Sequence, residues 1–214
     1  EGMDESAPYP ARYLSSYPQT KAQAERLVLA ANSEHLATIA LRPHLIWGPG
    51  DTHIVPHVLK LAQARRLRLV GDGRNLVDST YIDNAAAAHL LTVDRLTSSA
   101  PCAGRAYFIT NGEPLPMAEL LGKILRAASL TPDIPSVPPS VAYFLGAVLE
   151  NLHRVLRLSE EPRMTRFMAR ELATAHWFDI SAARRDLGYE PAISIEEGMN
   201  RLARSLQCSA WVAS

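Results

Sequence analysis

"SSYPQTKAQAE", residues 15–25, sets Tyr17 and Lys21 four positions apart at the head of an alanine-rich run. A helix is expected here with Ser15 as its N-cap, because Pro18 then falls in the first turn, where a missing N–H costs nothing. On a helix, residues i and i+4 share one face about one turn apart, so a phenol and an ammonium lie side by side. An ammonium favours the phenolate of such a pair. Bringing a phenol from about 10 towards neutrality takes roughly 4 kcal/mol, within reach of a cation in a partly desolvated site. The pair can then exchange a proton with an alcohol or a carbonyl. Alone, Tyr-x-x-x-Lys equally describes an exposed surface pair, so its surroundings must decide. Ala24, Leu27, Val28 and Ala31 continue at helical spacing and predict a buried stripe.

Working outward, residues 1–13 carry tyrosine–proline clusters and read as irregular. "LATIALR", 36–42, is a short strand without a charge until Arg42, the pattern of a strand inside a parallel sheet. The loop "PHLIWGPGDTH" leads to an expected helix over 54–65. Gly71-Asp72-Gly73 reads as a turn between two strand-like runs, "RLRLV" and "NLVDSTYI". Asp83 is the expected N-cap of "NAAAAHLLTVDRL", and "AYFIT", 106–110, is a further strand closed by Asn111-Gly112. "MAELLGKILRAA" places Met117, Leu120, Leu121, Ile124, Leu125 and Ala128 on one core face. Residues 132–140 hold four prolines and read as a linker. "SIEEGMNRLARSL" closes the chain's last helix, with Ser194 and Glu197 as a capping box. Strands alternate with helices throughout, which is an α/β chain.

Composition narrows the function classes. The 214 residues suffice for a sizeable core. Lys plus Arg equals Asp plus Glu at 22 each, so no basic excess points to nucleic acid. Cys102 and Cys208 are too few and too far apart for a disulfide framework or a thiolate zinc site, and they fit a reducing, cytoplasmic setting. The opening "EGMDESAPYP" has neither the charge nor the apolar core of a signal peptide. No Gly-x-Gly-x-x-Gly occurs among the eleven glycines.

Several stretches in order, "DESAPYP", "YPQTKAQAE", "LRPHLIWGPGD", "GDGRNLVDSTYIDNAAAAHLL", "FDISAARRDLGYEP" and "SIEEGM", resemble the extended short-chain dehydrogenase/reductase superfamily. Within it the 3β-hydroxysteroid dehydrogenase-like branch is most similar, and the likeness runs from residue 4 to about 206. "LRPHLIWGPGD", "LVDSTYIDNAAAAH" and "ATAHWFDIS" look like bacterial 2-alkyl-3-oxoalkanoate reductases. The resemblance implies the C-terminal part of a Rossmann-like doubly wound parallel sheet, with a smaller, mostly helical substrate-binding domain. Residues 1–58 would complete the NAD(P)-binding domain with its catalytic helix. Residues 59–214 would be mainly substrate-binding, with 80–110 returning to the Rossmann sheet.

The same resemblance makes Tyr17 the catalytic acid–base residue, assisted by Lys21, which would also hydrogen-bond the nicotinamide ribose. Pro43 and His44 would pass beside the nicotinamide, and Trp47 and His53 would line the substrate pocket. NAD or NADP is the expected cofactor, with NADPH favoured for an oxoalkanoate reductase. The family's glycine-rich turn and the serine or threonine ahead of its tyrosine loop have no counterpart here. The chain is therefore expected to be the C-terminal part of a longer enzyme, inactive by itself.

Three functions remain to be weighed: hydride transfer on a hydrophobic 3-oxo or 3-hydroxy substrate, nucleotide-sugar epimerisation or dehydration, and a non-catalytic NAD(P)-binding sensor. The Tyr17/Lys21 pair argues against a sensor. Nucleotide-sugar enzymes of this superfamily carry an arginine before the aspartate of "RDF-x-Y-V-D-D" to grip a diphosphate. Here Val77 precedes Asp78, and valine cannot hold a phosphate.

His53 and His57, with Asp51 nearby, hint at a metal, but no third ligand presents itself, so none is expected. His89 reads as structural. In "VPPSVAYFLGAVLENLHRVLRL", 137–158, Val141, Phe144, Leu145, Val148, Leu149, Leu152, Val155 and Leu156 make one apolar face. Glu150, Asn151, His153, Arg154 and Arg157 make the polar side. The apolar run ends at Glu150, short of the ~20 residues that span a bilayer. A core helix is one reading; a helix lying against a membrane, an oily partner or an acyl substrate is the other. Expected partners are thus a hydrophobic small molecule, peripheral membrane contact through 141–158, and a second copy in a homodimer.

Overall fold

The computed structural model describes residues 2–13, 16–156, 162 and 164–208. In chain order the elements are α1 (Ser16–Ala30), β1 (Ile39–Pro43), β2 (Ile46–Trp47), α2 (Ile54–Gln63), β3 (Leu69–Val70), β4 (Leu76–Val77), β5 (Thr80–Tyr81), α3 (Ile82–Arg95), β6 (Arg105–Ile109), β7 (Leu115–Pro116), α4 (Met117–Ala127), β8 (Ser136–Val137), α5 (Pro139–Leu156), α6 (Arg166–Ala173), α7 (Ser181–Leu187) and α8 (Ile195–Cys208). They form two compact units: Glu1–Val55 with Asp78–Pro114 and Trp177–Ser214, and Pro56–Val77 with Leu115–His176.

In the first unit, β1 and β6 run parallel in register from Ile39–Arg105 to Pro43–Ile109. β2 and β5 pair parallel through Ile46–Thr80 and Trp47–Tyr81. The expected apolar strand 36–42 is therefore β1, shifted towards Pro43. Beneath it lies a core of Ala88, Tyr107, Ile109, Ile180, Ala183, Leu187 and Tyr189, with Cys102 among them. Gly198 of α8 lets that helix press on the core: a Cβ there would come within 2.7 Å of Tyr81 and 2.9 Å of Trp47.

The second unit holds the parallel pair β3–β8 and the antiparallel pair β4–β7. α4 buries the expected face of Met117, Leu120, Leu121, Ile124 and Leu125. α5 and α6 close on each other through small residues. Ala142 and Gly146 are the buried residues of α5, and a Cβ on Gly146 would meet the Arg166 amide nitrogen at 2.7 Å.

Five local expectations change. The stripe Ala24, Leu27, Val28, Ala31 is not buried; Leu27 is 73 % exposed, and the half-buried face of α1 is Pro18, Ala22, Glu25 and Leu29. An ion pair between Glu25 and Arg42, described below, turns that neighbouring face onto β1. Ser15 lies outside the described residues. Asp83 is not the cap of α3: the helix starts directly from β5 with Tyr81 at the cap position, and Asp83 instead accepts from Arg201 at 3.2 Å.

The run 75–82 breaks at Asp78-Ser79 into β4 and β5, and the strands flanking Gly71-Asp72-Gly73 pair elsewhere rather than with each other. Both polar residues are buried, Asp78 accepting from the Phe178 N–H and Ser79 from the Trp47 indole. The proline-rich stretch 132–140 contains β8, whose Val137 carbonyl receives the Gly71 N–H. Only half of the capping box forms: the Ser194 hydroxyl accepts from the Glu197 N–H, while the Glu197 carboxylate turns to Arg201 at 2.8 Å.

Candidate active site

The first unit contains a cleft of about 1190 Å³. Tyr17, Lys21, Pro43, His44, Trp47 and His53 all border it. Tyr17 and Lys21 lie one step around α1 from the face that meets β1, so they edge the cleft instead of entering the core. Tyr17 is 69 % exposed, open to whatever the cleft receives.

The floor is a fixed turn between β1 and β2. Leu45 has φ +45°, a left-handed conformation unusual for a leucine. Three contacts hold it. The Thr80 amide donates to the Leu45 carbonyl at 3.2 Å, the Thr80 hydroxyl donates to the His44 carbonyl at 2.8 Å, and the His44 amide donates to Ile109 at 3.2 Å. Thr80 itself is fully buried. His44 stands edge-on to Phe178 at 5.0 Å, and Phe178 stacks on Phe108 at 4.2 Å, giving the cleft an aromatic wall.

A charged clasp ties this wall to α1. Arg42, last but one in β1, donates from Nε to Glu25 Oε2 at 2.8 Å and from Nη2 to Oε1 at 2.6 Å. Tyr9 adds a short hydrogen bond from its hydroxyl to Oε1. The guanidinium lies 5.1 Å from the Phe108 ring centre, and Arg26 lies 4.1 Å from that of Tyr9. Hydrogen bonding to Arg42 holds the Glu25 carboxyl below the usual carboxylate range despite its burial, and Glu25 in turn holds Arg42 more firmly protonated. The Tyr9 phenol is pushed up, because it donates to that carboxylate.

None of these supports stands among the residues first expected at the site. One signal was readable: an arginine closing the apolar strand "IALRP" needs a carboxylate partner where it is half-buried. Glu25, one turn beyond Lys21, is that partner. The roles of Thr80 and Phe178 depend on pairings far apart in the chain and leave no local trace.

Two expected pocket residues take further duties. Trp47 is 1 % exposed; its indole donates to Ser79 at 3.0 Å, and its ring meets Tyr81 edge-on at 5.4 Å, so it anchors the cleft from the core side. His53 is exposed, and its amide is held by Asp51. Asp51 spends both carboxylate oxygens capping α2, accepting from the amides of His53 at 2.7 Å, Ile54 at 3.3 Å and Val55 at 2.8 Å. Among the described residues, no three His, Cys, Asp or Glu side chains gather as a metal site.

Residues 1–136 match the 3-beta hydroxysteroid dehydrogenase/isomerase family. Over 204 residues the chain is 53 % identical to a 2-alkyl-3-oxoalkanoate reductase of Stenotrophomonas maltophilia, covering 95 % of this chain and 62 % of that protein. It is 50 % identical to a protein of the same name from Shewanella oneidensis, covering 96 % of this chain and 55 % of that protein. The chain thus spans a little over half the length of these relatives. Among solved structures, the dTDP-glucose 4,6-dehydratase of Bacillus anthracis in complex with NAD superposes with a TM-score of 0.64 at 18 % identity, over 99 % of this chain and 57 % of that one. That likeness establishes a shared, Rossmann-like fold.

Proposed function

The chain belongs to the 3-beta hydroxysteroid dehydrogenase/isomerase family, and on that premise we propose that it forms the catalytic part of an NAD(P)-dependent oxidoreductase. Its substrate is a hydrophobic 3-oxo or 3-hydroxy compound, a 2-alkyl-3-oxoalkanoate reduced to the 3-hydroxy acid with NADPH. The observation that carries this reading is a cleft bordered together by Tyr17, Lys21 and the Pro43–His44 turn.

The phenol, the ammonium and the rigid turn fit the ribose and nicotinamide end of such a cofactor. No Gly-x-Gly-x-x-Gly occurs in this sequence to cradle its pyrophosphate. When bound, the cofactor supplies the hydride. Tyr17 donates its phenolic proton to the carbonyl oxygen as that oxygen becomes an alcohol. Lys21, one turn along the same helix, holds a ribose hydroxyl and supports the phenolate left behind. The Leu45 turn, pinned by Thr80, gives the nicotinamide side of the cleft a fixed floor. Val77, buried at 1 % exposure, stands where nucleotide-sugar enzymes of this superfamily use a phosphate-gripping arginine, which supports an oily substrate over a sugar nucleotide. Among the described residues no helix is long and apolar enough to cross a membrane.

The full-length protein carrying this chain, supplied with NADPH and a long-chain 2-alkyl-3-oxoalkanoate, is expected to oxidise NADPH as the 3-hydroxy acid forms. Turnover of a 3β-hydroxysteroid alone would move the substrate to the steroid class. Turnover of a UDP-sugar, with none on either lipid, would overturn the assignment.

A further inference from the structure

Glu25 is the only acidic residue of α1, and it follows Lys21 by four positions. At that spacing a lysine and a glutamate on one helix ordinarily pair with each other. They do not pair here. Among the described residues Lys21 has no carboxylate partner. The Glu25 carboxylate is held instead from outside its helix, by Arg42 Nε at 2.8 Å, by Arg42 Nη2 at 2.6 Å and by the Tyr9 hydroxyl.

This choice of partner has an electrostatic consequence. The Glu25 side chain is 14 % exposed, and a carboxylate so withdrawn from water cannot stay without a counter-ion. Its own helix offers two cations, Lys21 one turn back and Arg26 beside it. Arg26 already lies over the Tyr9 ring at 4.1 Å, which leaves Lys21 as the cation a released Glu25 would take. A lysine paired with a carboxylate supports a neighbouring phenolate far less than a free ammonium does.

Other titratable side chains also border the cleft. Tyr13 precedes α1, His44 follows β1, and Asp51 and His53 stand before α2. Asp51 has both oxygens engaged by backbone amides. None of these four lies on the helix of Lys21, whereas Glu25 does.

We propose that Arg42 and Tyr9 are positioning residues that keep the Glu25 carboxylate off Lys21, so that the ammonium stays free for Tyr17 and the cofactor. The inference rests on the roles given above to Tyr17 and Lys21. The clasp that fixes α1 against β1 thereby also removes the one negative charge on α1 that competes for Lys21.

Oxidation of a 2-alkyl-3-hydroxyalkanoic acid by NADP+ in the full-length protein, followed across pH, tests this. That direction requires the Tyr17 phenolate, so its rate climbs as the phenolate forms. Arg42→Met turns Glu25 onto Lys21, disfavours the phenolate and should move the midpoint of the rising limb up by roughly 0.5–1 pH unit. Arg42→Met with Glu25→Gln strands no charge and should return the limb to the parent's position. Ala24→Glu, at an exposed position three residues from Lys21, adds a carboxylate outside the clasp. It should raise the limb likewise with the unfolding midpoint near the parent's, and it carries the test where Arg42→Met does not fold. Phenolate absorbance, taken as the difference between each protein and its Tyr17→Phe counterpart, reads the same movement without turnover.

A clasp that is only a strut would lower kcat alike in Arg42→Met and Glu25→Gln and leave the limb in place. That result would overturn the proposal, as would a double variant displaced as far as Arg42→Met alone. A parent that oxidises no such acid, while the Tyr17 absorbance moves as described, would overturn the substrate reading and support the clasp's role.

Discussion

Arg42 grips both carboxylate oxygens of Glu25, at 2.6 and 2.8 Å, and so ties the helix carrying Tyr17 and Lys21 to the strand that leads into Pro43 and His44. The side chains are only 21 % and 14 % exposed, so the pair is largely withdrawn from water and geometrically demanding. Glu25, Lys21 and Tyr17 succeed one another along α1 at four-residue spacing. Whatever fixes Glu25 therefore fixes the pitch of the other two against the cleft.

Glu25→Gln is expected to lower the unfolding free energy by about 2–3 kcal/mol, since it leaves the Arg42 charge partly buried without its counter-ion. Urea denaturation measures this directly. The pH dependence has a defined sign. The folded Glu25 carboxyl sits below its unfolded value, so its contribution is present above about pH 4.3 and lost as pH falls through the lower folded value. Tyr9 is raised, so its contribution is present below about pH 10 and lost as pH climbs through the higher folded value. Glu25→Gln should flatten the acid limb of the stability profile; a limb as steep as the parent's would remove the clasp from the account.

Asp51→Ala should cost about 1 kcal/mol, the usual worth of a helix N-cap, whereas His53→Ala and His57→Ala should be near neutral. Zinc measured by elemental analysis after dialysis is expected well below one per chain. One equivalent, lost on His53→Ala, would return these histidines to a metal site.

The 214-residue chain by itself should bind NADPH only weakly, with Kd above ~100 µM, because the nicotinamide end has its residues here and the pyrophosphate has no glycine-rich turn. Fluorescence titration showing micromolar affinity would mean that this sequence builds its own phosphate cradle.

How much of this was legible beforehand follows from where each signal lives. β1 and α4 carry local apolar patterns, and Tyr17 and Lys21 share one turn of helix, so the elements and the adjacency of the pair were readable from spacing, while the role given to the pair came from the ordered motifs around it. The packed face of α1 was misjudged because its apolar count favours Leu27 and Val28, and the deciding contact is an ion pair to a strand 17 residues away. Asp83 resembles a cap, yet α3 grows straight out of β5 and leaves no cap position for it. The Leu45 turn depends on Thr80, whose hydroxyl meets a carbonyl 36 residues back, and no local pattern encodes that. α5 was readable as apolar, but which side meets its own chain rests on Gly146 and the start of α6.

The central claim is that Tyr17 delivers the proton in hydride transfer, and one comparison tests it most directly. In the full-length protein, Tyr17→Phe should lower kcat on the 3-oxo substrate by roughly 10²–10⁴-fold. KM should change little and the unfolding midpoint should stay at the parent value, since the side chain is 69 % exposed. A Tyr17→Phe enzyme folded as the parent and turning over within tenfold of it would contradict the account.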